Sequence, residues 1–232
     1  MNLSNSIEYF NVPFDDFTLS ASRLNSSSKH KSLMIHGGAR TQDIFDDLRH
    51  CLAEFGISSY AYDCIAHGQS TGQLNNSSLA SRTQQALKVI DNAPITTCLG
   101  VSMGAYNALK LTQHRQIENL VLIVPGIYTP EAYNTKFGEG FSSIIRRDNS
   151  WLDSDAWEIL KQFKGNLLIV SAENDEVVPS AIPEKLFDSA IQSNWKHHLI
   201  IPKAIHKGFM ENVMSDLHRT EFLHYLKKCL SI

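Results

Sequence analysis

A serine flanked by glycines is the first candidate for chemistry in this 232-residue chain. The segment Gly100-Val101-Ser102-Met103-Gly104 lies where a predicted strand, residues 95–100, meets a predicted helix, residues 103–113. On such a tight turn a serine adopts strained backbone geometry, and the glycines let strand and helix pack closely. The turn would present the Ser102 hydroxyl at the carboxyl edge of a sheet. An ordinary glycine-rich turn that happens to contain a serine is the alternative interpretation.

A serine hydroxyl becomes a useful nucleophile only beside a base, and the base needs a carboxylate to orient it. Asp175 and His206 each follow a predicted strand, at the edge where open α/β sheets assemble their sites. The alternatives are that Asp175 caps a turn or helix, and that Glu173 or Glu176 supplies the carboxylate. His206 competes with nine other histidines, and its place directly after a strand favours it.

Acyl transfer also needs backbone N–H groups that face the oxygen on which negative charge develops. Met103, at the start of the predicted helix, offers one such donor. The second is expected from His36-Gly37-Gly38-Ala39, where the strand at residues 31–35 ends, and Gly38 is the best candidate. A plain glycine turn is the alternative here.

The elements that must position these residues follow from alternating aliphatic and amphipathic runs. The predicted strands are 17–24, 31–35, 57–62, 95–100, 119–124, 166–171 and 196–201, and the predicted helices are 43–55, 78–92, 103–113, 180–192 and 216–230. A turn is expected at residues 25–28. This order predicts one α/β domain over residues 1–232, with helices on both faces of a mainly parallel sheet. Because only one convincing strand precedes residue 31, seven or eight strands are expected.

Residues 126–165 interrupt this rhythm, since the usual connection is far shorter. The segment is predicted to be a lid insertion, and a surface subdomain with its own small core is the alternative. Its apolar side chains are the candidates for the wall of an acyl or aryl pocket. They are Ile127, Tyr128, Phe137, Phe141, Trp151 and Trp157.

Taken together, these segments resemble the α/β-hydrolase superfamily. The resemblance rests on His36-Gly37-Gly38, Asp63 to Ser70, Gly100 to Gly104, Asn174 to Pro179 and His206, and it covers about residues 30–230. Within the superfamily the chain is most similar to small-lidded carboxylesterases, monoacylglycerol lipases and feruloyl-esterase-like members. It departs from the usual pattern at Ala66, where the superfamily has a glycine.

The resemblance implies a serine hydrolase that cleaves a carboxylic ester of a small or medium apolar acyl group through an acyl-enzyme. Ser102, His206 and Asp175 would form the triad, without a metal or an organic cofactor. A thioesterase is the first alternative, because Arg146 and Arg147 would suit an anionic leaving group unless they are simply solvated. Cleavage of a carbon–carbon or amide bond is a further alternative. A non-catalytic receptor is disfavoured, because all three triad residues are present.

Composition limits the partners. A formal net charge of −3 with 21 Lys and Arg spread along the chain gives no basic footprint for nucleic acid, so a small-molecule ester or thioester is expected.

No apolar run reaches the roughly 18 to 20 residues that a membrane span needs. The first ten residues lack a signal pattern, and the protein is predicted to be cytoplasmic, with four buried free thiols. The sequence leaves the oligomeric state open.

Overall fold

The computed structural model describes residues 6–26, 30–91 and 93–232. Its strands are β1 Glu8–Phe14, β2 Phe17–Leu24, β3 Lys31–Ile35, β4 Ser58–Tyr62, β5 Thr97–Val101, β6 Asn119–Ile123, β7 Asn166–Ala172 and β8 Trp195–Ile201. They form one eight-stranded sheet in the order β1-β2-β4-β3-β5-β6-β7-β8. The strands from β3 onward run parallel, whereas β2 is antiparallel to both of its neighbours. The predicted mainly parallel sheet is confirmed.

Helices cover both faces of this sheet. They are α1 Asp46–Glu54, α2 Leu79–Ile90, α3 Met103–Leu111, α4 Pro130–Asn134, α5 Glu139–Ile145, α6 Ala156–Gln162, α7 Ala181–Ser189, α8 Phe209–Val213 and α9 Arg219–Leu230. One core lies between the sheet and α1, α8 and α9, and the other lies between the sheet and the remaining helices. The strands β5 and β6 are buried at every residue, which explains their uninterrupted aliphatic sequence. Within the described residues, no helix combines the length and apolar character needed to cross a membrane.

The structure differs from the sequence prediction where elements are short or exposed. The strand β1 was not expected, because Val12 is its only buried residue and the apolar alternation is therefore weak. The helix α8 has five residues, too few to show a helical period. The helix expected from residue 43 begins with a 3-10 turn, Gln42–Phe45, and the closing helix begins at Arg219 rather than at residue 216. Residues 27 and 28 of the expected turn, and residue 92 of the expected helix, lie outside the described residues.

The insertion at residues 126–165 contains the three short helices α4, α5 and α6. They pack on the core formed with α2 and α3. Asp155 attaches the insertion to α3, because its carboxylate accepts hydrogen bonds from the Tyr106 hydroxyl (2.5 Å) and from Lys110 Nζ (2.7 Å). The insertion is thus held against the helix that follows Ser102.

Candidate active site

Ser102 stands on a strained turn between β5 and α3. Its backbone has φ 52° and ψ −117°, a conformation that side chains rarely adopt. A Cβ on Gly100 would lie 2.2 Å from the carbonyl oxygen of Gly104, and one on Gly104 would lie 2.1 Å from that of Ile35. Glycine at both positions is therefore what allows strand and helix to meet so closely. The Ser102 N–H donates to the Ile123 carbonyl of β6, which fixes the turn to the sheet.

His206 joins the serine to a carboxylate. The Ser102 Oγ lies 3.0 Å from His206 Nε2, and His206 Nδ1 lies 2.9 Å from Asp175 Oδ2. Because a carboxylate can only accept, Nδ1 carries the proton and Nε2 presents its lone pair to the serine hydroxyl. The side chains of His206 and Asp175 are 15% and 8% exposed, so the hydrogen-bonded chain is largely shielded from water.

Asp175 is held as an ionised carboxylate. Burial alone would raise its pKa, but hydrogen bonds from His206 and from the N–H groups of Val178 and Val177 outweigh burial, and the pKa is lowered. The rival Glu173 accepts a hydrogen bond from the N–H of Lys203 instead. Of the carboxylates considered from the sequence, Asp175 is therefore the one that contacts the histidine.

Met103 and Gly38, the residues expected to supply an oxyanion hole, both lie beside Ser102. Met103 is the first residue of α3, so its N–H has no acceptor within the helix. Gly38 lines the same cavity as Ser102, and no described residue accepts a hydrogen bond from its N–H. Gly37 passes so close that a Cβ there would lie 3.1 Å from the Ser102 Cβ.

The cavity at Ser102 has a volume of about 180 Å³. Its apolar wall includes Ile44, Val101, Val124, Phe209 and Met210, which all pack in the core formed with α1, α8 and α9. This wall was not predicted from the sequence, although Phe209 and Met210 come only three and four residues after the candidate histidine. That short separation is the signal that was available.

The charged side chains at this cavity are Arg40, Lys207 and Glu211. Arg40 Nη1 lies 3.6 Å from Glu211 Oε1, and both side chains are substantially exposed. Their position beside the histidine loop was not expected from the sequence. An exposed ion pair of this kind contributes little stability.

The six apolar residues predicted to bind substrate lie away from the cavity at Ser102. Ile127, Phe137, Phe141 and Trp157 are buried in the core beneath the insertion, and none of the six predicted residues lines the cavity at Ser102. Phe137 packs edge-on against Phe141 with ring centroids 4.9 Å apart. Trp151 and Tyr128 are partly buried against the same core. These side chains were expected at the pocket because they are apolar residues of the insertion, and packing within the insertion uses the same residue types as a pocket wall.

The arginines considered for an anionic leaving group are also remote. Arg147 pairs with the exposed Glu131 of α4 at 2.8 Å, and Arg146 is exposed directly after α5. Neither lines the cavity at Ser102. The observation that favoured a thioester in the sequence is therefore not supported by their location.

Comparison with known proteins identifies the family. A family model described as "Serine aminopeptidase, S33" matches residues 26–153, more than half of the chain. The chain belongs to this S33 family of α/β-hydrolases. The resemblance to the α/β-hydrolase superfamily is thus confirmed, and the chain is a hydrolase of that superfamily. No curated protein sequence gives a significant match.

Solved structures resemble this S33 hydrolase over nearly its whole length. The ferulic acid-bound Est1E from Butyrivibrio proteoclasticus has a TM-score of 0.70 at 17% identity, covering 94% of this chain and 100% of its own. The esterase EaEST from Exiguobacterium antarcticum has a TM-score of 0.72 at 16% identity, covering 97% and 100%. The thioesterase domain from the curacin biosynthetic pathway has a TM-score of 0.67 at 16% identity, covering 93% and 100%. At such identities the likeness shows the fold and not the substrate.

Proposed function

We propose that this S33 hydrolase is a serine esterase that cleaves carboxylic esters of small apolar acyl groups. The observation that carries the proposal is the hydrogen-bonded chain from the Ser102 hydroxyl through His206 to the Asp175 carboxylate. It lies beside a cavity at the carboxyl edge of the sheet, where a substrate carbonyl can approach. Nucleophile, base and orienting carboxylate are thus within hydrogen-bond reach of one another.

The reaction proceeds by acyl transfer in two steps. As Ser102 Oγ attacks the carbonyl carbon, its proton moves to His206 Nε2, and the Asp175 carboxylate stabilises the resulting imidazolium. The N–H groups of Gly38 and Met103 donate to the oxyanion. The carbon–oxygen bond to the alcohol breaks as His206 protonates the leaving oxygen, which leaves an acyl-enzyme. Water then gives a proton to His206 and attacks the acyl carbon, and Ser102 leaves with that proton.

The size of the cavity supports a small acyl group. At about 180 Å³ it is smaller than the roughly 300 to 1,000 Å³ typical of sites for drug-sized ligands. Its apolar side chains, among them Val124 and Phe209, suit a short aliphatic chain. We therefore assign the acyl group to this wall rather than to the aromatic side chains of the insertion.

Hydrolysis of p-nitrophenyl acetate, butyrate and octanoate, with matched N-acetylcysteamine thioesters, tests the proposal. We expect kcat/KM to be highest for the short esters, and Ser102→Ala to reduce hydrolysis to the uncatalysed rate. Asp175→Asn should lower kcat by about 10⁴, because the imidazole loses the group that orients it. The neighbouring Glu173→Gln is the matched control and should retain activity.

Each other result excludes part of the proposal. Wild-type rates in Asp175→Asn would contradict the role of that carboxylate, and retained hydrolysis in Ser102→Ala would contradict the nucleophile. A consistent preference for the thioesters would replace the ester assignment with a thioesterase.

The state of the cysteines supports a reducing compartment, and we place the activity in the cytoplasm. Cys51, Cys64, Cys98 and Cys229 are all free and buried. Proteins of oxidising compartments more often pair their cysteines in disulfides.

A further inference from the structure

A buried arginine contacts residues 36–39 of the candidate site, a segment called here the glycine loop. Arg82, on α2, is 0% exposed. Within the described residues its guanidinium has no carboxylate at ion-pair distance, and its Nη1 has no hydrogen-bond partner. Burial of a charge without a counter-ion is costly, so an aliphatic side chain would fill this space at lower cost. The position therefore calls for an explanation beyond packing.

The contacts of Arg82 converge on the loop that holds Gly38. Its Nη2 donates to the His36 carbonyl at 2.7 Å and approaches the Gly37 carbonyl at 3.5 Å. Its Nε donates to the Cys64 sulfur at 2.9 Å. The Nη2 donors of this guanidinium thus face the carbonyls of His36 and Gly37, and its Nε faces the sulfur of Cys64.

The ring of His36 reinforces the same loop. Its Nε2 accepts the N–H of Cys64 at 3.0 Å, so Nδ1 carries the proton and donates to the Gly37 carbonyl at 2.6 Å. Burial, followed by the charge of Arg82, lowers the pKa of His36 well below its usual value. The ring therefore stays neutral and keeps this pattern of donor and acceptor.

Peptide geometry links these contacts to the oxyanion hole. In a trans peptide the C=O of one residue and the N–H of the next point in opposite directions. Holding the Gly37 carbonyl toward Arg82 and His36 therefore directs the N–H of Gly38 away from them, and Gly38 lines the cavity of Ser102. The contact with the His36 carbonyl fixes the orientation of the peptide unit between His36 and Gly37 in the same way.

We propose that Arg82 is a positioning residue for the oxyanion hole: its guanidinium holds the carbonyls of His36 and Gly37 so that the Gly38 N–H faces the reacting oxygen. This inference rests on the proposed serine esterase function.

Arg49 provides a matched control. It is the other fully buried arginine of the described residues, and it also sits on a helix packed on the sheet. Its guanidinium donates to the hydroxyls of Ser22 and Ser59, and its helix α1 packs in the opposite core. Loss of either arginine should lower thermal stability, but only loss of Arg82 should weaken the stabilisation of the oxyanion.

The experiment compares Arg82→Met, Arg82→Lys and Arg49→Met with the wild-type protein. It measures kcat and KM for p-nitrophenyl butyrate, Tm, and inhibition by a short alkyl trifluoromethyl ketone. Ser102 Oγ adds to the ketone carbonyl, its proton passes to His206, and the former carbonyl oxygen becomes an oxyanion. The inhibitor therefore reports on the oxyanion hole without a leaving group.

In Arg82→Met we expect kcat to fall at least about tenfold with KM nearly unchanged, because an interaction specific to the transition state is lost. Inhibition by the ketone should weaken by a similar factor. Arg82→Lys should recover part of both losses, since its ammonium can still donate to the His36 carbonyl. Arg49→Met should lower Tm while keeping kcat and inhibition at wild-type values.

Wild-type kcat and ketone affinity in folded Arg82→Met would overturn the proposal, as would equal losses in Arg49→Met. If Arg82→Met does not fold, Arg82→Lys decides, because unchanged kcat and ketone affinity there would also overturn it. Failure of the esterase assignment is separately visible. In that case the wild-type protein itself would neither hydrolyse the ester nor bind the ketone at Ser102.

Discussion

Ala66 and Gly68 both adopt a left-handed backbone in the turn after β4, with φ of 65° and 50°. A Cβ on Gly68 would lie 2.1 Å from Asp63 Oδ2, and that carboxylate accepts the N–H groups of Gln42 and Gln69. The turn therefore needs glycine at residue 68 for space, whereas at residue 66 alanine occupies a conformation that disfavours a Cβ.

We expect Ala66→Gly to stabilise the protein by about 1 kcal/mol, because relief of left-handed strain outweighs the added freedom of the unfolded chain. Gly68→Ala should instead destabilise it by more than about 1 kcal/mol. Urea denaturation of both variants measures the free energy of unfolding. A destabilised Ala66→Gly, or a neutral Gly68→Ala, would contradict this account of the turn.

Asp175 also contributes to the pH dependence of stability. Its pKa in the folded protein is lowered, whereas an aspartate in an unfolded chain has a pKa of about 3.9. Its contribution is therefore fully present above about pH 4 and is lost as the pH falls through the folded pKa.

The difference in free energy of unfolding between wild type and Asp175→Asn should accordingly shrink as the pH falls below about 4. Urea denaturation at each pH measures it. A difference that grows as the pH falls below about 4 would show that the carboxylate is not stabilised in its ionised form.

At the scale of elements, the contact between the insertion and α3 depends on few polar groups. Asp155 accepts from Tyr106 and Lys110, and Lys110 is largely buried. Asp155→Asn should cost about 2 kcal/mol, because it leaves a buried ammonium without its partner. Glu131→Gln, which breaks the exposed pair with Arg147 on the same insertion, should cost less than about 1 kcal/mol.

Urea denaturation of these two variants tests the comparison. Equal losses of stability would mean that Asp155 does not anchor the insertion. If the loss in Asp155→Asn is confined to the insertion, hydrogen exchange should increase in α4 to α6 before it increases in the sheet.

Elements with a strong apolar pattern are the ones that the sequence predicts well. The strand β2 has the predicted bounds, and β6 and β7 differ by one residue at one end, since their buried aliphatic side chains leave little choice of register. The strand β1 is different, because its mostly exposed side chains depend on pairing with β2 rather than on burial.

In the candidate site, too, some residues could be predicted from a sequence pattern and others could not. Ser102, Asp175 and His206 could be selected because each follows a strand of a parallel sheet, whose carboxyl ends share one edge. The cavity wall was missed, because Phe137 and Phe209 are the same residue type and both are buried, so that residue type alone does not show which of them borders Ser102. The buried Arg82 gives no periodic signal either, since it occupies an ordinary helical position.

At the scale of the whole molecule, the parallel sheet brings together residues that are far apart in sequence. Ser102 and His206 are separated by 104 residues, and His206 and Asp175 by 31. The two cores hold β5, β7 and β8 in register, so the loops that carry these three side chains start from a common edge. Their hydrogen-bonded arrangement is therefore a property of the complete fold.

The same fold contains a second serine–histidine pair, which makes a stringent control. Ser171 Oγ lies 2.7 Å from His198 Nε2, but Ser171 is inside the strand β7 rather than at the start of a helix. It lacks the strained turn on which Ser102 stands and the N–H at a helix start that Met103 places beside Ser102. We therefore expect it to be unreactive.

Labelling with a fluorophosphonate, followed by mass mapping of the adduct, tests the central claim most directly. Attack by an activated serine on phosphorus displaces fluoride and leaves a stable phosphonyl serine. We expect one adduct on Ser102, absent in Ser102→Ala, strongly reduced in His206→Ala and undiminished in Ser171→Ala. An adduct on Ser171 or elsewhere, or undiminished labelling of Ser102→Ala, would contradict the assignment of Ser102 as the nucleophile.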